Sequence, residues 1–299
     1  MFIHDSYEIE VTNRCNALCP QCPRTDPKTG KLSSNMNIRD ITIEEFEKIF
    51  PYHLVKNKKF HFCGLSGDCM ANKHMPEIID YLIYGNPKSI ILSTNGGIGD
   101  KKFYKYLAEY SKQCNIRVNF AVDGLEDTNH LYRKGVKWKK LIENMKAYEG
   151  GESTVKTIVF DHNEHQLDDI EDLVKQFGFK SYIKRSKRIE RKNNIAITNQ
   201  YDIECRYIKN RDIYISADLK LWPCCFIHYD HYTDNDDYAK IADAYGTDFN
   251  DLTKYSIEQI LSHEWFVSVL QESFDPIHNM TLESCYQHCR KNIQDVKYS

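Results

Sequence analysis

The chain has 299 residues, 41% of them hydrophobic and 28% charged, with a formal net charge of -3. That length fits one large domain or two, with two expected, and no run of about 18 apolar residues offers a membrane span. The charge is silent on acidic partners, and the dispersed aromatics lack the basic, interleaved pattern of a nucleic-acid binder, so no membrane or nucleic-acid partner is expected.

The N-terminus, MFIHDSYEIEV, has no basic segment followed by an apolar core, which predicts a cytoplasmic protein without a secretory signal. YEIEV reads as the first strand. Thr42 to Phe50 opens with a Thr-x-x-Glu capping box, Thr42 and Glu45, and places Ile43, Phe46, Ile49 and Phe50 at helical spacing. KFHFC reads as a strand, and Pro76 suits the first turn of a helix with Ile78, Ile79, Leu82 and Ile83 behind it. The strands SIILST, IRVNFAV, TVKTIVF and KSYIKR then alternate with the helices KKFYKYLAEYSKQC, WKKLIENMKAY and LDDIEDLVKQFG. Strands joined by helices imply a parallel α/β sheet with right-handed crossovers and ligands at the carboxyl ends of the strands. The pattern alone leaves an open sheet and a barrel equally possible.

After about Arg188 the alternation fades. RIERKNNIAITNQ reads as a polar linker and puts a domain boundary near residue 190. The remainder shows a hairpin-like DIYISADLKLWPCC, an acidic Tyr-containing loop, and a last helix, SIEQILSHEWFVSVLQESF. A basic run (Lys180, Lys184, Arg185, Lys187, Arg188, Arg191, Lys192) and an acidic one (Asp230, Asp234, Asp236, Asp237) read as solvated loops.

Eleven cysteines are many for a reducing compartment, where clustered thiols hold metal more often than they form disulfides. Cys63, Cys69 and Cys114 stand apart and read as small buried residues. In RCNALCPQC, by contrast, Cys15, Cys19 and Cys22 crowd one loop just after the first strand. Closed structural sites take four ligands, so three thiolates leave one metal position open for a reacting molecule.

CxxxCxxC behind a first β-strand resembles the radical S-adenosylmethionine (SAM) enzymes, and three later segments resemble that family in the same order. FCGLSGD is similar to the glycine-rich motif that holds the amino group of SAM, with Gly64, Gly67 and Asp68, the last standing where the family more often has glutamate. LSTNGG is similar to the third-strand end, with Thr94 and Asn95. AVDGLEDTNHLYRKG is similar to the fourth-strand segment, with Asp123 and Arg133 as ribose and carboxylate contacts. The resemblance implies a partial (β/α)6 TIM-like barrel over residues 1-190. It also implies a 4Fe-4S cluster on Cys15, Cys19 and Cys22 whose fourth iron is chelated by SAM. An electron donor such as flavodoxin or ferredoxin would drive cleavage of SAM to a 5'-deoxyadenosyl radical that takes hydrogen from a substrate.

Residues 191-299 resemble the SPASM or twitch extension of such enzymes. Cys205, Cys224, Cys285 and Cys289 would then hold one auxiliary 4Fe-4S cluster, since a full SPASM domain with two clusters needs more than the five cysteines present here. A zinc site on the same four thiols stays open, as does Cys225 as a substitute for Cys224. His288 reads as a polar loop residue. Members with this extension often modify peptides or proteins, making a peptide the expected substrate; a nucleotide or carbohydrate-like small molecule, or a non-catalytic iron-sulfur electron-transfer protein, is the alternative. No substrate-side acid, base or radical-quenching residue stands out.

Overall fold

The computed structural model describes residues 4-34, 36-185, 203-230, 237-275 and 277-289. The linker RIERKNNIAITNQ, the basic residues Lys187, Arg188, Arg191 and Lys192, and Asp234 and Asp236 lie outside them, as does the side chain of Asp230. The chain divides into two compact units, Tyr7–Lys187 and Arg188–Ser299 with the first six residues.

The first unit runs β1 (Ser6–Ile9, from the unit's edge), α1 (Ile43–Ile49), α2 (Tyr52–Val55), β2 (Lys59–Phe62), α3 (Met75–Gly85), β3 (Ser89–Thr94), α4 (Lys101–Ser111), β4 (Ile116–Ala121), α5 (Asn129–Tyr132), α6 (Trp138–Ala147), β5 (Glu152–Val159), α7 (Leu167–Gln176) and β6 (Lys180–Arg185). Local chemistry sets the boundaries. The Thr42 and Glu45 side chains form a reciprocal capping box on α1, and Pro76 sits in the first turn of α3, where its missing N–H costs nothing. The short α2 and α5, four residues each, carry too little periodicity to be seen in the sequence.

The strands lie side by side in chain order, β1 through β6, and β2 to β6 pair in parallel, for example Leu92 opposite Val118 and Phe120 opposite Val155. A doubly wound sheet reverses its strand order at a switch point; this one does not. Alternate residues are buried: Phe60, Phe62, Ile90, Leu92, Val118 and Phe120 on one face, where Phe46 of α1 meets Phe62 at 6.3 Å and Tyr104 of α4 stacks on Phe120 at 5.8 Å. The opposite face is polar, with the His61 ring nitrogen 2.9 Å from the Ser93 hydroxyl. One apolar and one polar face, with β6 left at an edge, describe an open partial barrel.

The second unit contains α8 (Arg206–Asn210), an antiparallel pair β7 (Asp212–Ile215) and β8 (Leu221–Trp222), then α9 (Cys225–Asp230), α10 (Asp237–Tyr245), α11 (Ile257–Leu261), a π-helical turn Trp265–Val269, α12 (Leu270–Glu272) and α13 (Glu283–His288). Three expectations are corrected here. Asp237, read as part of a solvated acidic loop, is 0% exposed and starts α10. The expected last helix is broken after Leu261, and the wide turn that follows lets Trp265, Phe266 and Leu270 all be buried. His288 is not a loop residue: it ends α13 and stacks on Phe226 at 4.0 Å. Among the described residues, no helix is long and apolar enough to cross a membrane.

Candidate functional site

Every expected site residue of the first unit lies at the carboxyl end of one of β1 to β4 or on the segment that follows it, Thr94 being the last residue of β3. The long segment after β1 carries the three cysteines and is closed on itself: Thr12 Oγ1 donates to Asp40, Asn13 Nδ2 donates to the Asn37 carbonyl at 2.6 Å, and the Arg39 amide donates back to Asn13 Oδ1 at 2.8 Å. Within it the Ala17 amide donates to Cys15 Sγ at 3.3 Å. Asn95, just past β3, donates from Nδ2 to both Cys15 Sγ (3.4 Å) and Asn16 Oδ1 (2.8 Å). Cys22 Sγ lies 3.8 Å from the carbonyl of Leu65, inside the glycine-rich turn after β2. The cysteine loop is thus fastened to the ends of β2 and β3.

The glycine-rich turn tolerates no side chain at Gly64 or Gly67. A Cβ on Gly67 would stand 1.8 Å from the Thr12 carbonyl oxygen, and one on Gly64 would stand 2.0 Å from that of Gly67. Glycine is required here by close backbone approach. Asp68, 3% exposed, spends its carboxylate on the protein: Oδ1 accepts the Met70 amide at 3.1 Å, and Oδ2 accepts Thr94 Oγ1 at 3.1 Å and the Asn95 amide at 2.8 Å. Burial pushes this carboxyl up, against the lowering pull of those Asn95 and Thr94 bonds. Asp68 therefore binds the ends of β2 and β3 together, and Thr94 serves it. Nearby, the buried Ser66 amide donates to Glu10, while Ser66 Oγ has no partner among the described residues.

Asp123 and Arg133 meet each other. Arg133 Nε donates to Asp123 Oδ2 at 2.6 Å, the Ile158 amide donates to Asp123 Oδ1 at 2.7 Å, and the carboxylate is 0% exposed. The other end of the guanidinium, Nη1, lies 3.9 Å from Cys19 Sγ. Burial raises the Cys19 thiol above its ordinary value, and Arg133 opposes it. The Cys15 thiol is pushed up to about 12, chiefly by burial and then by Asp68. Ligation would release protons from these thiols.

In the second unit Cys205, Cys224, Cys285 and Cys289 line one pocket, together with Pro223, Phe226, Ile227, Leu270 and Ser284. Burial, followed by the charges of Cys225, Cys285 and Cys205, holds the Cys224 thiol well above its ordinary range. Cys225 is not in the lining; its Sγ lies 3.1 Å from the Tyr207 hydroxyl. The backbone ties the cysteine-bearing segments together, since the Glu204 amide donates to the Cys289 carbonyl at 2.9 Å. Elsewhere, Cys63 and Cys69 are buried as expected, whereas Cys114 is only half-buried. Among the described residues no group of three or more His, Cys, Asp or Glu side chains is assembled to hold a single metal ion.

Residues 9-177 match the family model described as the Radical SAM superfamily. The chain belongs to the radical SAM superfamily. Among solved structures, this radical SAM protein is similar to one described as native anSMEcpe with bound AdoMet, at 14% identity and TM-score 0.54, over 88% of this chain and 81% of that one. It is similar at 14% identity and TM-score 0.55 to one described as native anSMEcpe with bound AdoMet and Cp18Cys peptide, over 92% of this chain and 84% of that one. At such identity the likeness speaks for the fold. No curated protein matches the chain.

A four-iron cluster needs thiolates spread over separate irons and a setting that accepts net negative charge. The first site of this radical SAM chain fits both demands: three thiols on one loop, and two arginines, Arg133 and Arg24, beside them. Arg24 is 5% exposed, its Nη1 donates to the Ala17 carbonyl at 2.9 Å, and its Nε has no partner among the described residues. Sequence reasoning passed over Arg24 and Asn16. The signal available for Arg24 was its place two residues after Cys22; for Asn16, which donates to the Gly97 carbonyl at 3.1 Å, there was none.

Proposed function

We propose that the protein is a radical SAM enzyme that modifies a peptide or protein substrate, with a second, auxiliary 4Fe-4S cluster in its SPASM- or twitch-like unit. The observation that carries this reading is the convergence on one cysteine loop of Asn95 from the end of β3 and of Arg133 from the segment after β4. When bound, the cluster on Cys15, Cys19 and Cys22 together with SAM supplies reductive cleavage of a carbon–sulfur bond and a radical able to take hydrogen from substrate. Around it, each residue of the chain has a separate task. Asn95 and the Ala17 amide hydrogen-bond the Cys15 sulfur and orient it. Gly64 and Gly67 let the turn after β2 approach the loop, with the backbone there left to hold the amino group of SAM, because the Asp68 carboxylate is engaged with Met70, Thr94 and Asn95. Arg133 has donors beyond those on Asp123 and Cys19 with which to take a carboxylate. Asp123 fixes its plane.

The pocket lined by Cys205, Cys224, Cys285 and Cys289 supports the auxiliary cluster. Its donors are sulfur alone within an apolar shell. Four thiols lining one pocket match the one thiolate for each iron that a four-iron cluster takes. Similarity to the structure carrying a Cp18Cys peptide supports the peptide assignment.

Anaerobic reconstitution followed by incubation with SAM and dithionite tests the reading. Formation of 5'-deoxyadenosine, lost in C15A, C19A and C22A, is the expected result, with roughly eight irons per chain for two four-iron clusters. No 5'-deoxyadenosine at full iron loading would leave an electron-transfer protein. Substrate capture and mass spectrometry would separate a peptide from a nucleotide or carbohydrate-like molecule.

A further inference from the structure

The cysteine loop encloses a cation, Arg24, that has no counter-ion among the described residues. Arg24 is buried, donates Nη1–H to the Ala17 carbonyl at 2.9 Å, and leaves Nε without a partner among the described residues. An unpaired guanidinium is costly to bury and is kept where an anion will meet it. The two backbone groups of Ala17 lie between it and the sulfur, because the Ala17 carbonyl accepts from Arg24 and the Ala17 amide donates to Cys15 Sγ at 3.3 Å; Cys15 in turn feels the Arg24 charge.

Arg133 approaches the same loop, with Nη1 3.9 Å from Cys19 Sγ, but its charge is already matched by Asp123. Its position is set by backbone. The Leu18 amide donates to the Lys134 carbonyl at 2.8 Å, and Gly135, at φ +95°, lies where a Cβ would be 2.5 Å from the Asn16 carbonyl oxygen. Among the described residues one arginine beside the loop has a carboxylate partner and the other has none.

We propose that Arg24 is the charge-compensating residue of the cysteine loop: it neutralises an anionic iron-sulfur cluster there and raises its reduction potential, while Asp123 cancels the matching effect of Arg133. This rests on the reading of Cys15, Cys19 and Cys22 as cluster ligands. Adding an electron makes a cluster more negative, so a nearby positive charge favours the reduced form, and net charge and hydrogen bonds to the sulfurs are recognised determinants of cluster potential.

The test is an anaerobic redox titration of the reconstituted full chain, followed by electron paramagnetic resonance on the signal that SAM addition perturbs, for wild type, R24Q, R24K and D123N. R24Q is expected to lower the reduced-to-oxidised ratio at fixed potential about tenfold, which is ~59 mV for a one-electron couple. R24K should stay near wild type, and D123N should shift the other way. Unmoved potentials in R24Q and D123N, or a shift of both in the same direction, would overturn the proposal, the latter because general loosening does not follow the sign of the charge removed. If R24Q assembles no cluster, normal assembly in R24K upholds the charge requirement and failure in R24K overturns it. A wild-type chain that assembles no four-iron cluster overturns the underlying reading and this one with it, whereas a loaded wild type with insensitive potentials overturns this one alone.

Discussion

Asp237 accepts the backbone amide of Ser284 at 2.8 Å with one carboxylate oxygen and that of Glu283 at 2.9 Å with the other. Both amides belong to the first turn of α13, where helical N–H groups have no partner inside the helix. The residue after Ser284 is Cys285, so a fully buried carboxylate in α10 holds in place the helix that carries this pocket thiol and ends at Cys289, its C-cap.

D237A should therefore weaken the second unit by about 2–4 kcal/mol, since each hydrogen bond to a charged group is worth roughly 1.5–3 kcal/mol and the two share one side chain. Iron bound by the Cys205, Cys224, Cys285 and Cys289 set should fall, while that bound by Cys15, Cys19 and Cys22 stays. Thermal denaturation together with iron analysis in a C15A, C19A, C22A background checks this; unchanged iron in that background would remove Asp237 from the site.

Cys224 and Cys225 are adjacent but differently placed, one in the pocket lining and the other against the Tyr207 hydroxyl. C224S should lose one cluster, about four irons per chain, and C225S should keep it. Equal loss in both would show that the pair acts interchangeably.

Asp68 is surrounded by donors on both oxygens. In D68N one amide NH2 must face a backbone or hydroxyl donor whichever way it turns, leaving buried groups unpaired at a cost of about 1–3 kcal/mol. The midpoint of urea denaturation should drop accordingly. A D68N protein as stable as wild type would mean that this carboxylate does not join β2 to β3.

G67A puts a methyl group 1.8 Å from the Thr12 carbonyl oxygen, a backbone atom with no rotamer to yield. Overpacking of this kind costs roughly 1–3 kcal/mol. Because Thr12 opens the cysteine segment, first-cluster iron should fall in parallel with stability, as read by iron assay and calorimetry on the same samples.

In the second unit Lys220 reaches Asp251 at 2.8 Å, alongside Leu221 N–H to the Asn250 carbonyl at 2.9 Å. Burial raises the Asp251 carboxyl, but the bonds from Lys220 and Thr253 outweigh it and leave the group below its ordinary 3.8. A carboxyl lowered in the folded state adds stability that is complete above the unfolded value and disappears as pH falls through the folded one. Wild type should therefore lose this contribution below about pH 3.8, and D251N should lack that part of the acid dependence. Parallel acid-unfolding curves for the two proteins would contradict it.

Much of the site could be read in the residues because its signals are local. The capping box of Thr42 and Glu45, the alternation that gives β2 to β5, and the spacing of Cys15, Cys19 and Cys22 need no knowledge of distant contacts. Asp237 was misjudged for the opposite reason: four aspartates in eight residues look solvated unless the amides of Glu283 and Ser284, 46 and 47 positions away, are known to meet one of them. The single long helix expected through Phe274 failed because apolar period alone does not report where a helix widens to bury Trp265 and Phe266 together.

The amino-acid order by itself determined the parallel α/β core and the three-thiol loop, since periodicity, capping and ligand spacing act over a few residues. Only the tertiary structure decided that the sheet is singly wound and open, that Asp68 and Asp123 spend their carboxylates on neighbouring segments, and that Arg24 is enclosed without an ion pair among the described residues. Those outcomes depend on which strand ends become neighbours and which polar groups lose water together, and both are properties of distant pairs that no local stretch of chain encodes.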